Sequence, residues 1–136
     1  NKKTILFSEK ETGNLSENQV FIIDTIGLLT KIYSYATVAY VGGGLKTGLH
    51  NILEPATFGV PIIFGANKYK KFQEANDLLQ LGGATIVSNN KDFSSIFTTL
   101  KNDLEVRITS GNTNQKYITD NIGATKTIMN YIKKTV

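Results

Sequence analysis

What the chain lacks excludes several kinds of chemistry. Its 136 residues contain no cysteine and no tryptophan, only two prolines and a single histidine, His50. Without cysteine there is no disulfide framework, no thiolate catalysis and no cysteine-based zinc site, and one histidine excludes a site with several histidine ligands. Arg107 is the only arginine among 15 basic residues, which is poor equipment for recognising nucleic acid. These absences predict no cysteine-based or multi-histidine metal site and no nucleic-acid partner, and we assign the chain no metal and no cofactor.

Long apolar segments are also missing. No run approaches the roughly 20 residues that span a bilayer, and there is no signal-peptide pattern of charge, apolar stretch and cleavage site. Hydrophobic residues make up 40% of the chain and its net charge is +4, which is typical of a soluble globular domain. We expect one domain over residues 1–136, in the cytosol by default. The densest basic cluster, Lys68, Lys70 and Lys71, favours a solvated surface over contact with an anionic ligand or a membrane.

Short β-rich apolar runs alternate with helical patterns, which predicts repeated βα units. The fold class is therefore α/β, a Rossmann-like, mostly parallel sheet flanked by helices. The second strand is nearly all apolar, as expected for a strand that helices cover on both faces. The first strand is followed by a polar loop over 9–18 instead of a crossover helix, so we expect the first β-α unit of the domain to be absent. The predicted strands are Thr4–Phe7, Val20–Ile23, Thr37–Val41, Pro61–Phe64 and Ala84–Val87, and the predicted helices are Gly27–Tyr35, Asn51–Phe58, Lys71–Leu81, Phe93–Leu104 and Asn121–Lys134.

The third predicted strand is followed by three glycines from Gly42 onward and a polar loop that ends at Gly48. Glycines permit positive φ angles and let backbone N–H groups approach a ligand closely, and the N-terminus of the helix predicted from Asn51 attracts anions. Glycines are also common in tight turns that bind nothing. The spacing matches neither the dinucleotide fingerprint, which needs glycine where Thr47 stands, nor the P-loop, which needs glycine where Leu45 stands.

Two polar residues beside this turn indicate a nucleotide. Asn51 and Glu54 are three residues apart and share one face of the first helical turn. A carboxylate there complements the helix dipole, and it can also accept hydrogen bonds from a ribose diol. An anion-binding turn next to a diol acceptor predicts a nucleotide site. No Gly-x-Ser-x-Gly elbow supports a catalytic triad, and His50 is interpreted as a helix-entry residue instead of a general base.

Several segments resemble the C-terminal domain of the 3-deoxy-D-manno-octulosonic acid (Kdo) transferases of lipopolysaccharide synthesis. The most specific is the His50-Asn51-x-Leu53-Glu54 run in its glycine context, and the resemblance covers the chain from Val20 to its end. That family has the GT-B architecture, two Rossmann-like domains with the active site between them. It transfers Kdo from CMP-Kdo to the lipid A precursor at the cytoplasmic face of the bacterial inner membrane, with no metal at the phosphate. The matching segments are 22–29, 39–44, 48–56, 61–65, 70–75, 81–84 and 121–124.

The resemblance implies a set of substrate-binding residues. Gly43 and Gly44 would lie against the CMP phosphate and the Kdo carboxylate. Asn51 would hydrogen-bond the phosphate or the sugar, and Glu54 would hold the ribose hydroxyls. Gly27 and its neighbours, in the turn after the second strand, would meet the cytosine through backbone groups. The set is completed by His50, by Lys46 as a phosphate ligand and by Gln73 reaching the cleft.

Two further residues, Asp24 and Thr25, fit as organisers of the turn around Gly27, although N-capping of the next helix explains them equally well.

The resemblance also implies that the chain holds half of an active site. The family's catalytic base is a glutamate of the N-terminal domain, so no catalytic residue is assigned here and the isolated chain is expected to be inactive. The implied partners are the CMP-Kdo donor, the lipid A precursor, the N-terminal GT-B domain and, through the full protein, the inner membrane surface. Exposed sheet edges favour pairing between copies of the chain, so a homodimer is also expected. Two alternatives stay open: the donor-binding domain of a GT-B enzyme that uses a UDP-sugar, and a non-catalytic Rossmann-like interaction module.

Overall fold

A computed structural model describes residues 2–135, which fall into two compact units, residues 2–35 (unit 1) and residues 36–135 (unit 2). The strands are β1 (Thr4–Leu6), β2 (Val20–Ile22), β3 (Ala39–Val41), β4 (Ile62–Gly65) and β5 (Ala84–Val87), and the helices are α1 (Leu29–Tyr33), α2 (Leu53–Thr57), α3 (Gln73–Leu81), α4 (Asn90–Asn102), α5 (Leu104–Asn121) and α6 (Ala124–Thr135).

Unit 1 is a parallel strand pair with a polar connection. Strands β1 and β2 pair from Thr4 opposite Val20 to Leu6 opposite Ile22. The connection contains two short 3-10 helices and no α-helix, as its polar composition predicts. Its start is fixed at Ser8, whose backbone N–H and hydroxyl both donate to the Asp24 carboxylate, at 3.0 and 2.6 Å.

Two expectations for unit 1 are wrong. The apolar second strand was expected to be covered on both faces, yet Val20, Phe21 and Ile22 stay 40 to 46% exposed. An apolar run favours a strand that is buried on both faces. In the described part of this unit, however, Ile5 is the only buried hydrophobic residue. Asp24 holds the turn after β1 instead of the turn around Gly27, and the hydrogen bond from the Ser8 hydroxyl lowers the pKa of Asp24.

Unit 2 contains a three-stranded parallel sheet in the order β3-β4-β5. Strand β4 lies in the middle, and Ile62, Ile63 and Phe64 are at most 1% exposed, as expected for a strand with helices on both faces. Because side chains alternate along a strand, Ile62 and Phe64 pack into a cluster with α2, α3 and α5, whereas Ile63 packs on the other side with α4. The predicted parallel sheet flanked by helices is confirmed.

Most predicted helices of unit 2 form within two or three residues of their expected ends. Helix α4 begins at Asn90 because the side chain of Asn89 accepts hydrogen bonds from the N–H groups of Lys91 and Asp92, at 2.9 and 3.0 Å. Helix α3 ends, as predicted, at a glycine: Gly82 has φ of +86° and the N–H of Gly83 donates to the Leu78 carbonyl at 2.8 Å.

Helix α5 was not predicted at all. The sequence places a loop between two helices that end at Leu104 and begin at Asn121, and the structure fills that gap with 18 helical residues. The buried positions of this helix are Gly111 and Asn114, so its inner face carries no apolar periodicity to detect. The Asn114 amide donates to the carbonyls of Val60 and Gly83, at 2.7 and 2.8 Å.

Candidate functional site

The glycine turn after β3 closes on itself. The carbonyl of Gly43 accepts hydrogen bonds from the N–H groups of Lys46 and Gly48, at 3.1 and 2.9 Å, and the carbonyl of Gly42 accepts from the N–H of His50 at 3.2 Å. The Gly44 carbonyl is engaged as well, by donors from the segment after β4. All three glycine carbonyls therefore serve the fold, so the groups that this loop can offer a ligand are N–H donors.

The close approach of backbone at this turn requires glycine. Gly43 has φ of +87°, and a Cβ built there would lie 1.9 Å from the carbonyl oxygen of Gly48. A Cβ at Gly44 would lie 2.4 Å from the carbonyl oxygen of Gly65, at the end of β4. The turn is thus pinned between its own far end and the neighbouring strand. A loop held this way presents a fixed set of backbone donors.

Asn51 and Glu54 come together as the sequence predicts. The Asn51 amide donates to Glu54 Oε1 at 3.0 Å, and Asn51 Oδ1 accepts from the N–H of Leu53, the first residue of α2, at 3.0 Å. Asn51 therefore also satisfies a free N–H group at the start of a short helix. His50 precedes them, and its ring lies beside the turn, with Cδ2 3.1 Å from a Cβ built at Gly43.

A pocket of about 360 Å³ opens beside the turn. The segment after β4 forms one wall and is tied to the turn, because the N–H groups of Asn67 and Lys68 both donate to the Gly44 carbonyl, at 3.0 and 2.8 Å. Sequence reasoning treated the lysines of this segment as solvated surface, and nothing local linked them to the glycines. The lining residues are Thr47, Gly48, Asn67, Lys68, Lys70 and Lys71.

Three of the predicted site residues, Lys46, Gln73 and Gly27, do not line this pocket. Lys46 is exposed on the turn and is absent from the lining of the pocket. Gln73 begins α3, where its amide donates to Asp77 Oδ1 at 2.6 Å, so its side chain is directed along its own helix. Gly27 belongs to unit 1, where it is exposed and has φ of +90° in the turn before α1.

Within residues 2–135 no group of three or more histidine, cysteine, aspartate or glutamate side chains is placed to hold a metal ion. In the same part of the chain, no helix combines the length and apolar character needed to cross a membrane.

The parallel sheet, its flanking helices and the glycine turn at the carboxyl end of β3 define a Rossmann-like domain. The fold matches the crystal structure of the C-terminal CMP-Kdo binding domain of WaaA from Acinetobacter baumannii, with a TM-score of 0.75 over 86% of this chain and 61% of that one, at 22% identity. The chain therefore has the fold of the C-terminal half of a GT-B protein.

Three relatives share one name. The chain is 33% identical over 129 residues to the 3-deoxy-D-manno-octulosonic acid transferase of Rickettsia conorii, covering 93% of this chain and 28% of that protein. It is 31% identical over 136 residues to the enzyme of the same name from Haemophilus influenzae, covering 97% and 32%. A third, from Rickettsia prowazekii, is 39% identical over 85 residues, 62% of this chain and 18% of that protein. No protein-family model matches the chain.

These similarities confirm the resemblance seen in the sequence: the chain is a relative of the 3-deoxy-D-manno-octulosonic acid transferases. It spans between about a fifth and a third of the length of these three relatives.

Proposed function

We propose that this chain binds the CMP-Kdo donor of a glycosyltransferase that transfers Kdo to the lipid A precursor. The observation that carries the proposal is the closed glycine turn with the Asn51–Glu54 pair at its end. Backbone donors fit a phosphate, and a carboxylate held by an amide fits a ribose diol. The identity of the sugar, Kdo, and of the nucleobase, cytosine, is taken from the names of the relatives and of the structural neighbour.

The predicted residues enter this proposal with two roles changed: the two glycines hold the phosphate and not also the Kdo carboxylate, and Asn51 supports Glu54 instead of bonding the phosphate or the sugar itself. Gly43 and Gly44 present N–H groups to the donor phosphate, and Asn51 orients Glu54 toward the ribose. His50 closes the side of the turn. Lys46 and Gln73 are secondary contacts, since Lys46 is exposed and Gln73 bonds to Asp77. Gly27 offers backbone groups to the cytosine, and residues 1–136 act as one donor-binding domain.

Transfer also needs an acceptor hydroxyl to lose its proton to a carboxylate base. We propose that this base lies in an N-terminal GT-B domain, that the lipid acceptor meets the enzyme at the cytoplasmic face of the inner membrane, and that the isolated chain turns over no substrate. Stabilisation of the leaving CMP phosphate by N–H donors is the part of the reaction assigned to this chain. Transfer of Kdo to a lipid acceptor by the purified chain would overturn this division.

Comparing the affinities of the chain for CMP and UDP tests which nucleotide the donor carries. Isothermal titration of the purified chain with each nucleotide should give measurable CMP binding and UDP binding at least about tenfold weaker, a difference of about 1.4 kcal/mol. Tighter UDP binding would move the chain to a UDP-sugar enzyme. Binding of neither nucleotide would favour the non-catalytic interaction module.

A further inference from the structure

The pocket beside the glycine turn carries a concentrated positive charge. Lys68, Lys70 and Lys71 contribute to its lining, and no carboxylate does. Among the described residues, ion pairs form elsewhere, at Lys3, Lys10 and Lys116, and none involves these three lysines. Like charges gathered around a concave surface raise the local potential and attract an anion.

The segment that carries these lysines is held at both ends. At its start, the Asn67 amide donates to the Leu45 carbonyl at 3.1 Å, and the Lys68 carbonyl accepts from the N–H of Leu49 at 3.2 Å. At its end, the amide of Asn76 donates to the Lys70 carbonyl at 3.0 Å. A backbone fixed at these points reduces the entropy that is lost when the side chains close on a ligand.

The pocket shares Gly48 with the turn that is proposed to hold the phosphate. Thr47 and Gly48 line the pocket, and the same Gly48 closes the turn by donating to the Gly43 carbonyl. A group attached to a phosphate on the turn would therefore lie next to the segment that carries the three lysines. The Lys71 ammonium lies 5.0 Å from the centroid of the Phe72 ring, a contact that leaves its charge without a carboxylate partner. The second anionic group of a sugar acid donor is its carboxylate.

We propose that Lys68, Lys70 and Lys71 form the subsite for the carboxylate of the donor's sugar acid, and that this subsite rejects nucleotides with neutral sugars. The inference rests on the proposed function, because it takes the phosphate to lie on the glycine turn. A neutral sugar leaves three ammonium groups without a counter-charge in the pocket, whereas a sugar acid supplies one. Selectivity for an acidic sugar is thus built into this chain.

A charge-matched pair of variants tests the subsite. One variant carries Lys68→Gln, Lys70→Gln and Lys71→Gln, and its control carries the same three changes on α6, at Lys126, Lys133 and Lys134. Both lose three positive charges, so the net charge of the chain falls equally. Each protein is titrated with CMP and with freshly prepared CMP-Kdo, after circular dichroism confirms that it is folded.

We expect the unsubstituted chain to bind CMP-Kdo more tightly than CMP. The pocket variant should lose about tenfold or more in CMP-Kdo affinity and less than about twofold in CMP affinity, and the α6 variant should change both by less than about twofold. Equal losses for CMP and CMP-Kdo in the pocket variant would mean that the lysines hold the nucleotide phosphate, and no loss for either would mean that the pocket is unused. Both results overturn the inference while the proposed function stands. Absence of binding to the unsubstituted chain would overturn both.

Discussion

Two glycine turns of unit 2 share a backbone conformation and differ in what surrounds them. Gly43 follows β3 with φ of +87°, and Gly82 follows α3 with φ of +86°. The turn at Gly82 passes directly into the core: Gly83 is buried, and its carbonyl accepts hydrogen bonds from Asn114 and Ser110. The turn at Gly43 adjoins a pocket lined by lysines.

The difference separates a structural glycine pair from the pair that is proposed to bind a ligand. In the Gly82 turn, the neighbouring polar group is an asparagine of the same chain, and it fills the space that a Cβ at Gly83 would need, with Oδ1 only 2.0 Å away. In the Gly43 turn, the carbonyls are used internally and the adjacent cations have no carboxylate partner among residues 2–135. Only the second arrangement calls for an external anion.

The largest effect is expected from alanine at the two positive-φ glycines. Alanine in the left-handed region costs about 1 to 2 kcal/mol at either position. Gly82→Ala should cost no more, because nothing lies within 4 Å of the added Cβ. Gly43→Ala must also push the turn away from the Gly48 carbonyl, so we expect a total of about 3 kcal/mol and loss of CMP binding. Urea unfolding and calorimetry measure the two effects, and equal costs at both glycines would contradict the comparison.

Asn114→Ala should come next, and should affect only stability. Removing the amide deletes hydrogen bonds to the Val60 and Gly83 carbonyls and leaves a small cavity, which together cost about 2 to 3 kcal/mol. Asn112→Ala, at an exposed position of the same helix, should change the free energy of unfolding by less than about 0.5 kcal/mol. CMP affinity that falls in Asn114→Ala by more than stability explains would mean that the two turns are coupled.

Glu54→Gln sharpens the comparison on the ligand side. We expect CMP affinity to fall about five- to tenfold, because a neutral amide is a weaker acceptor for ribose hydroxyls than a carboxylate. Affinity for 2′-deoxy-CMP should fall much less, since it lacks one of the two hydroxyls. The matched control is Glu105→Gln in the first turn of α5. Equal losses for both nucleotides would remove the ribose role and leave Glu54 as the hydrogen-bond partner of Asn51.

The smallest effect is expected at Tyr117 of helix α5, where the pH dependence of stability should change. Burial, and then the hydrogen bond from its hydroxyl to Asp77 Oδ2 at 2.9 Å, raise the pKa of Tyr117 from 10.0 to about 12. A raised tyrosine pKa favours the neutral form in the folded chain, so its contribution is complete below pH 10 and disappears as the pH rises toward 12. Tyr117→Phe should therefore flatten the fall in the free energy of unfolding over that range. Parallel curves for the two proteins would show that the pKa of Tyr117 is not raised in the folded chain.

Much of unit 2 could be predicted because its signals are local. A few neighbouring residues are enough to predict the conformation of three features. These are the apolar strand β4, the glycine that ends α3 and the glycine turn after β3. Asn51 and Glu54 were placed together by helical spacing alone, and the structure joins them by a hydrogen bond.

The parts that could not be predicted depend on contacts between distant segments. Gly111 and Asn114 lie on the inner face of helix α5. They stabilise the fold through contacts with residues 31 to 54 positions away in the sequence. A Cβ at Gly111 would lie 2.2 Å from the Gly59 carbonyl oxygen, a constraint that no helical pattern carries. The lysine pocket likewise exists because parallel pairing of β3 and β4 brings the segment at Asn67 to the Gly44 carbonyl.

The most direct test of the central claim is to map where CMP binds. Two-dimensional amide NMR spectra of the labelled chain, recorded during a CMP titration, report on the two turns separately. We expect the largest shifts at Gly43, Gly44 and the residues from His50 to Glu54, with the Gly82–Gly83 amides unchanged. Shifts centred on the Gly82 turn, or saturable binding that leaves the Gly43 turn unchanged, would contradict the account.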